Sequence, residues 1–405
     1  MTIKFLKIYI AVPLVLLCMT TPSFCQIEKD IHQLNKINEE LLTEQVKEII
    51  SKNVEGNKTI FLGEADHKYG ADLKAKFEIV KYLVQELGYK DIVFESDFFA
   101  LSFFHNGNSL YKMWRYSDQI WDMAQFFKDN NVTLYGMDNK FNAKDSYTHF
   151  IPYLQESISP FNISLEERFN NLSKETILNN GLTNGKKLSQ NDIEYLNHYV
   201  HSLLDNTKIQ SDKKCKQILE NYLSAANMYY NHTHDKKYSL NSDRDIQMAN
   251  NLDFLVKYYP EKKFIVWLAN AHMSKINENA LRCGNEFIKK NPNTTYHIAV
   301  SSYSSFYKNE KSIQKIHSDK EHLISILPST ETNYFLDIVS LFKNTPSYTT
   351  KNYKKDMTLT PFQMSWDSKK QGIFQNFDAM IFISEAEKVS YTKYDQLILE
   401  KQQSK

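Results

Sequence analysis

Six short apolar runs separated by helical segments constrain the fold of this chain more than any other feature. Each run is rich in β-branched and aromatic residues, as expected of strands that are buried on both faces. The runs are TIFLGE (59–64), DIVFES (91–96), VTLYGMD (132–138), KFIVWLANAH (263–272), YHIAVSS (296–302) and FDAMIFIS (377–384). Strands that alternate with helices form a parallel, helix-flanked sheet. The sequence therefore predicts an α/β fold with a mostly parallel central sheet flanked by helices.

The segment between the first two runs shows the helical pattern most clearly. In LKAKFEIVKYLVQEL (73–87), Leu73, Phe77 and Val80 recur at helical spacing, with charged residues opposite. Gly88 follows at a position suited to ending a helix. We therefore predict a helix over 73–87.

The stretch from about 150 to 245 differs from the rest of the chain. It is rich in Asn, Ser, Lys and Glu, contains no strand-like run and has helical patterns. It lies between the third and fourth predicted strands, so we expect a helical insertion that covers the carboxyl ends of the strands. No Pro/Gly linker separates independent domains. Residues 26–405 are therefore predicted to form a single domain with this insertion.

The first 25 residues are typical of a secretory signal peptide. Two lysines precede an apolar stretch from Ile8 to Met19, which is too short to span a bilayer, and a polar segment of small residues follows. Cleavage after Cys25 is favoured over a lipid anchor on Cys25, because Phe24 fits a lipoprotein signal poorly. We expect an exported protein, periplasmic or extracellular, with no transmembrane segment in the mature chain.

Charge and cysteine content exclude some partners. The formal charge of the whole chain is +1, and the loss of two lysines with the signal peptide leaves it near neutral, which argues against nucleic acid as a partner. The mature chain keeps Cys215 and Cys283, and the sequence leaves open whether they pair. No CxxC motif or Cys/His cluster indicates a structural metal.

Four predicted strands end in polar residues. In open α/β sheets the ligand crevice lies beyond the carboxyl ends of the strands, so these residues should converge there. They are Glu64, Asp66 and His67 after the first strand, Glu95 and Asp97 after the second, Asp138 after the third, and Asn270 and His272 after the fourth. Asp97 fits better as a cap of the following segment. Serine-nucleophile, dinucleotide, P-loop and HExxH motifs are all missing from the sequence.

Several blocks of the chain resemble the erythromycin esterase-like family. They are GEADH, KAKFEIVKYLVQELGYKDIVFESD, MWRYSDQIWDMAQFFKDNNVTLYGMD, SDRDIQMANNLDFL, VWLANAHMSK and FDAMIFISEAEKV, and their order and spacing agree over roughly residues 55 to 390. The resemblance implies a hydrolase that cleaves a small-molecule ester or lactone with water directly, without a covalent intermediate and without a cofactor.

The resemblance also implies roles for individual residues. The histidine of the G-E-x-x-H motif, the general base, is His67, and the motif glutamate is Glu64. A second glutamate at the end of the next strand is Glu95. A neutral imidazole can take a proton from water, and carboxylates can orient it. We predict that His272 or Lys76 polarises the substrate carbonyl.

Further residues of the chain match family positions or depart from them. Asn270 and Arg115 match and are expected, with Lys76, to bind substrate, whereas Arg244 also matches but is favoured as a structural ion pair. Lys76 replaces an arginine, which loses a bidentate fork. Ala269 replaces a histidine.

Two other classes of function remain open from the sequence. One is a metal-dependent hydrolase, in which Glu64, His67, Glu95 and His272 would be the ligands. The other is a secreted binding protein that kept the fold without the chemistry, which the changes at Lys76 and Ala269 would permit.

Overall fold

The computed structural model of the chain describes residues 27–178, 186–238, 240–276, 281–306, 309–350 and 372–403. The predicted signal peptide and Cys25 lie outside these ranges. Within them, no helix has both the length and the apolar character that a membrane span requires.

Eight strands form one sheet in the part of the chain that the structure describes. The strands are β1 (Ile31–Gln33), β2 (Thr59–Glu64), β3 (Asp91–Asp97), β4 (Thr133–Asp138), β5 (Phe264–Ala269), β6 (Thr295–Ser302), β7 (Tyr334–Asp337) and β8 (Ala379–Ile383). Their order across the sheet is β1-β7-β8-β6-β2-β5-β3-β4. All pairs from β8 to β4 are parallel, while β7 is antiparallel to both β8 and β1. The predicted α/β class with a mostly parallel sheet is confirmed.

All six predicted strand runs are strands in the structure, and two further strands were not predicted. These are β1, with three residues, and β7, with four. Runs this short contain too few residues to establish a period.

Fifteen α-helices accompany the sheet within the described ranges. They are α1 (Glu44–Val54), α2 (Gly70–Gln85), α3 (Phe98–Phe104), α4 (Lys112–Arg115), α5 (Met123–Asp129), α6 (Lys144–Ile158), α7 (Glu167–Glu175), α8 (Gln190–Leu204), α9 (Thr207–Ser211), α10 (Lys213–His234), α11 (Leu240–Tyr258), α12 (Cys283–Lys290), α13 (Glu310–His317), α14 (Ile338–Asn344) and α15 (Thr392–Gln403). The helix predicted over 73–87 is α2, which begins three residues earlier and ends two residues earlier. Gly88 follows it with φ +71°, a left-handed conformation that glycine adopts without strain.

Two apolar cores cover the two faces of the sheet. Ile60 and Leu62 of β2 pack in the first core with α1 and α2. Phe61, which points to the other face, packs in the second core with α11 and α12. Burial on both faces explains why the strands read as continuous apolar runs rather than as an alternating pattern.

A third apolar core lies in the helices between β4 and β5. It joins side chains of α6, α8 and α10 to Phe99 of α3 and to Phe141, which follows β4. Asn139, directly after β4, donates from Nδ2 to Ser224 Oγ of α10 at 3.0 Å. The helical insertion therefore packs on the residues just beyond the carboxyl ends of β3 and β4, as the sequence predicted.

The two cysteines of the described chain are free, buried thiols. Cys215 of α10 belongs to the core of the insertion, whereas Cys283 at the start of α12 belongs to the second core under the sheet. Since they lie in different cores, they do not pair in this structure.

Candidate active site

The carboxyl ends of β2, β5, β3 and β4 lie side by side in the sheet. Glu64 ends β2 and is in register with Ala269 at the end of β5. The amide of Ala269 donates to Glu95 Oε2 of β3 at 3.1 Å, and Asp138 ends β4. The topology thus gathers three acidic side chains along one edge of the sheet.

Asn270, directly after β5, forms hydrogen bonds to the ends of β2 and β6. Its amide donates to the carbonyl oxygen of Glu64 at 2.9 Å, and its Nδ2 donates to the carbonyl oxygen of Val300 in β6, also at 2.9 Å. A Cβ on Gly63 would lie 2.0 Å from Asn270 Oδ1, so only glycine at position 63 leaves room for the Asn270 side chain. Asn270 is fully buried, which places it beneath the strand-end residues rather than at their surface.

Glu64 holds His67 in one orientation. Its Oε1 lies 2.9 Å from Nδ1 of His67, across the tight turn that follows β2. The carboxylate is fully buried, but the His67 side chain is 36% exposed. The His67 ring stands edge-on to Trp114, with ring centroids 5.5 Å apart. Among the described residues, no group bonds to Nε2 of His67, so this nitrogen is available to an incoming molecule.

Lys76 of α2 lies behind Glu64 and is completely buried. Its ammonium contacts Glu64 Oε2, donates to the carbonyl oxygen of Leu268 at 3.2 Å, and lies 4.2 Å from the centroid of a Trp267 ring. Burial lowers the pKa of Lys76, and these contacts are those that a buried ammonium requires. Lys76 therefore supports Glu64 from within the protein.

A β-bulge sets the direction of Glu95. The pairing of β3 with β4 shifts between Phe94 and Asp97, and Glu95 lies inside this shift. A Cβ on Gly136 of β4 would lie 2.2 Å from the carbonyl oxygen of Asp97, so glycine is needed for the close approach. Bulges redirect side chains and are frequent beside active sites. Asp97 accepts from the amide of Ala100 at 3.0 Å, which confirms it as the cap of α3.

Arg244 of α11 joins the ends of β3 and β4. Its Nε and Nη2 donate to the two carboxylate oxygens of Asp138 at 3.0 and 2.8 Å, and Nη2 also donates to Glu95 Oε1 at 2.5 Å. Tyr111 completes the group by donating its hydroxyl to Asp138 Oδ2 at 2.8 Å. The ion pair that the sequence favoured for Arg244 is present, and it lies among the strand-end carboxylates.

His272 is held between a carboxylate and Arg244. Its Nδ1 lies 2.7 Å from Asp245 Oδ1, and its Nε2 lies 3.2 Å from Arg244 Nη1 and 3.5 Å from Glu95 Oε1. A neutral imidazole that carries its proton on Nδ1 satisfies both close contacts, because Nδ1 then donates to Asp245 and Nε2 accepts from Arg244.

The charges of this cluster stabilise one another. Burial alone would raise the pKa of Glu95, but its neighbours His272, Arg244 and His67 hold it well below its usual range. Burial is likewise outweighed at Asp138, where Arg244 lowers the pKa. For His272, burial would lower the pKa, but Asp245 and Glu95 raise it above its ordinary value. The two strand-end carboxylates are therefore ionised at neutral pH.

The structure brings most, but not all, of the predicted site residues together. Glu64, His67, Glu95 and His272 lie along the same edge of the sheet, with Lys76 and Asn270 buried behind them. Arg115 is not among their contacts: its guanidinium donates to the carbonyl oxygen of Asn108 at 2.8 Å and lies 4.5 Å from the centroid of the Tyr116 ring. Its role in substrate binding stays a prediction.

Two residues of the cluster, Asp245 and Tyr111, were not predicted from the sequence. Asp245 is adjacent to Arg244 in the block SDRDIQMA, and the presence of an acid beside a matched arginine was the available signal. Tyr111 gave no such signal, because its contact with Asp138 depends on the fold of the segment after α3.

The ligand set considered for a metal is engaged in other contacts. Glu64 is bonded to Lys76 and His67, and Glu95 is bonded to Arg244. In the described ranges, no group of three or more His, Cys, Asp or Glu side chains is placed to hold a metal ion.

The fold and this edge of the sheet define an α/β protein with histidine–carboxylate pairs at the carboxyl ends of parallel strands. The sequence matches the family described as erythromycin esterase over residues 84–386. The chain belongs to the erythromycin esterase family of hydrolases.

The chain is also similar to one curated protein and, in its fold, to solved structures. The chain is 23% identical over 307 residues to the protein of Bacillus subtilis (strain 168) named "Putative hydrolase YbfO", covering 63% of this chain and 67% of that protein. A mutant of the erythromycin esterase EreC in its open conformation has a similar fold, with a TM-score of 0.62 at 15% identity over 89% of this chain and 98% of that one. A succinoglycan biosynthesis protein is also similar, with a TM-score of 0.67 at 15% identity over 91% and 98% of the two chains.

Proposed function

We propose that the protein hydrolyses a carboxylic ester or lactone with a water molecule activated by His67, without a covalent intermediate. The observation that carries the proposal is the pairing of an accessible imidazole with a buried carboxylate. His67 is 36% exposed, and its Nδ1 is fixed by the fully buried Glu64. Such a dyad leaves the other ring nitrogen free to act as a base.

The proton follows a simple path in this mechanism. In the neutral imidazole, Nδ1 donates to Glu64 and the lone pair of Nε2 faces outward. As the water oxygen bonds to the substrate carbonyl carbon, Nε2 takes the proton from water, and the carbonyl electron pair moves onto its oxygen. Collapse of this tetrahedral species re-forms the carbonyl and breaks the bond to the leaving alkoxide oxygen. The alkoxide then takes from His67 the proton that the water had given up. Glu64 stabilises the transient imidazolium, and Lys76 keeps Glu64 in place.

Arg244 is suited to stabilise the oxyanion, and His272 is suited to hold its guanidinium in place, because Nε2 of a neutral His272 accepts from Arg244 and carries no proton to donate. Both were placed by matches of the sequence to the family, and their facing atoms, Arg244 Nη1 and His272 Nε2, lie 3.2 Å apart beside Glu95. A fixed positive group is most effective where little water competes, and Arg244 is only 7% exposed. Lys76 is less suited to this role because it is sealed behind Glu64.

Direct attack by water also fits the state of the nearby thiol. Cys283 is fully buried at the start of α12. Burial, together with the charges of Asp245 and Glu95, raises the pKa of this thiol well above its ordinary value. The nucleophilic form of a cysteine is the thiolate, so Cys283 is unsuited to forming an acyl-enzyme.

We infer that the reaction needs no metal ion. A cation would have to compete with Lys76 for Glu64 and with Arg244 for Glu95, and both of these carboxylates are already neutralised. Extended treatment with EDTA should therefore leave turnover unchanged. Loss of turnover on chelation, restored by one added metal, would favour the metal-dependent alternative.

The proposal is tested with a panel of esters and lactones that includes erythromycin, because one of the similar solved structures is an erythromycin esterase. The variant His67→Asn should keep its thermal unfolding temperature and lose about 10²-fold or more in kcat, the scale of general-base catalysis. His198→Asn is the matched control, because this exposed histidine of α8 lies in the insertion.

Two results would contradict the proposal. If His67→Asn hydrolyses a substrate as fast as the parent does, His67 is not the base. If the parent turns over no member of the panel, the protein is better explained as a binding protein that kept the fold.

A further inference from the structure

The turn that carries His67 is held by a buried carboxyl side chain outside the cluster described above. Asp72 is the third residue of α2 and is fully buried. Its Oδ2 accepts from the amide of Ala65 at 2.9 Å, and its Oδ1 accepts from the amide of Ser302 at 2.5 Å. One side chain thus joins the turn after β2 to the end of β6.

We propose that Asp72 is a positioning residue that fixes His67 against Glu64. The inference rests on the proposed function, in which His67 is the base.

The position of Ala65 explains why this contact matters. Ala65 is the residue between Glu64 and the rest of the turn, so its backbone sets the path from the carboxylate to the imidazole. The Glu64–His67 contact of 2.9 Å spans only three residues, and small rotations at Ala65 change it directly. Ala65 and Ser302 are both fully buried, so no water can replace Asp72 as acceptor for their amides without rearrangement.

The other acid of the turn acts in a different way. Asp66 accepts the amide of Lys68 at its Oδ1 at 2.9 Å, a local Asx turn on a half-buried residue. Asparagine supports the same local turn, because its side-chain oxygen accepts as well. Asn at position 72 offers only one acceptor oxygen, and its NH₂ group would face the other backbone amide. Asp66→Asn is therefore a matched control that removes a nearby negative charge without removing a contact to the backbone.

A readout independent of hydrolysis separates this inference from the proposed function. In ¹H–¹⁵N spectra of the imidazoles, assigned with the His67→Asn variant, the parent should show His67 as one tautomer with its proton on Nδ1. Asp72→Asn should show averaged tautomers in a folded protein. On any ester that the parent hydrolyses, kcat should fall about ten- to a hundredfold with little change in KM, because a misplaced base slows the chemistry rather than binding. Asp66→Asn should leave the tautomer of His67 unchanged.

The result that overturns the inference is an Asp72→Asn protein that is folded and keeps the parent's His67 spectrum. Asp72→Ser, which keeps one small acceptor, is the second variant if Asp72→Asn does not fold. Failure of both variants to fold would also overturn it, since the Asp72 side chain would then hold the fold as a whole rather than the turn. If the spectrum changes as expected but the parent hydrolyses no ester, the positioning role stands and the proposed function fails.

Discussion

Replacing Arg244 by methionine should destabilise the protein strongly, and by an amount that depends on pH. Arg244 donates to Asp138 at 3.0 and 2.8 Å and to Glu95 at 2.5 Å, and both carboxylates are at most 2% exposed. Removing one partner from a buried ion pair costs about 3–5 kcal/mol, because the remaining charge is left without compensation. At roughly 2 °C per kcal/mol for a chain of this size, the melting temperature should fall by about 6–10 °C near neutral pH.

The pH dependence follows from the direction of the pKa shifts. In the parent, nearby positive charge outweighs burial and holds the pKa of Glu95 below its ordinary value. Its stabilising contribution is therefore present above the unfolded pKa, about 4.3, and is lost as the pH falls through the folded pKa. Without Arg244, burial dominates and the pKa values of Glu95 and Asp138 rise. Protonation of these two side chains then removes the uncompensated buried charge, so the variant should lose less melting temperature near pH 5 than near pH 7.5.

The assay is thermal unfolding followed by circular dichroism at both pH values. Arg115→Met is the matched control, because the guanidinium of this arginine bonds to Asn108 and stacks on Tyr116 but forms no ion pair in the described chain, so the change should alter stability by no more than about 0.5 kcal/mol. An Arg244→Met protein that melts with the parent near pH 7.5, or whose deficit grows in acid, would refute the reasoning.

Most strands could be predicted from the sequence because burial on both faces of the sheet makes each of them a continuous apolar run. Strands covered on both faces must be apolar throughout, so six of them stand out as runs. The rule that ligands bind at the carboxyl ends of parallel strands then placed Glu64 and Glu95 at one edge. The strands β1 and β7 pair at the antiparallel side of the sheet and are too short to form such a run.

Other parts of the site depend on contacts between distant segments. The contacts of His272 with Asp245 and Arg244 exist because α11 packs beside β4 and reaches the residues after β5, which no local pattern reveals. Lys76 is more instructive, since its spacing from Leu73 puts it on the apolar stripe of α2. A lysine within an apolar stripe indicates a buried partner, and Glu64 is that partner.

Three further substitutions test other contacts of the site and the core. Gly63→Ala should lower the free energy of unfolding by about 1–3 kcal/mol, because its Cβ would lie 2.0 Å from Asn270 Oδ1. Adding Asn270→Ala should recover part of this loss, and strictly additive losses in the double variant would contradict the explanation. Lys76→Met should cost about 3–5 kcal/mol in urea unfolding at neutral pH by leaving Glu64 buried without its cation, and an unchanged midpoint would contradict it. His297→Phe should make the protein less sensitive to acid. Burial holds the pKa of His297 in the folded protein well below its ordinary value. Below about pH 6.5 His297 therefore binds a proton in the unfolded chain but not in the folded one, and the free energy of unfolding of the parent falls by up to about 1.4 kcal/mol per pH unit. The variant lacks this proton uptake, so the stability of the parent relative to the variant should fall between pH 6.5 and pH 5, and parallel stability curves over that interval would show that His297 does not titrate on unfolding.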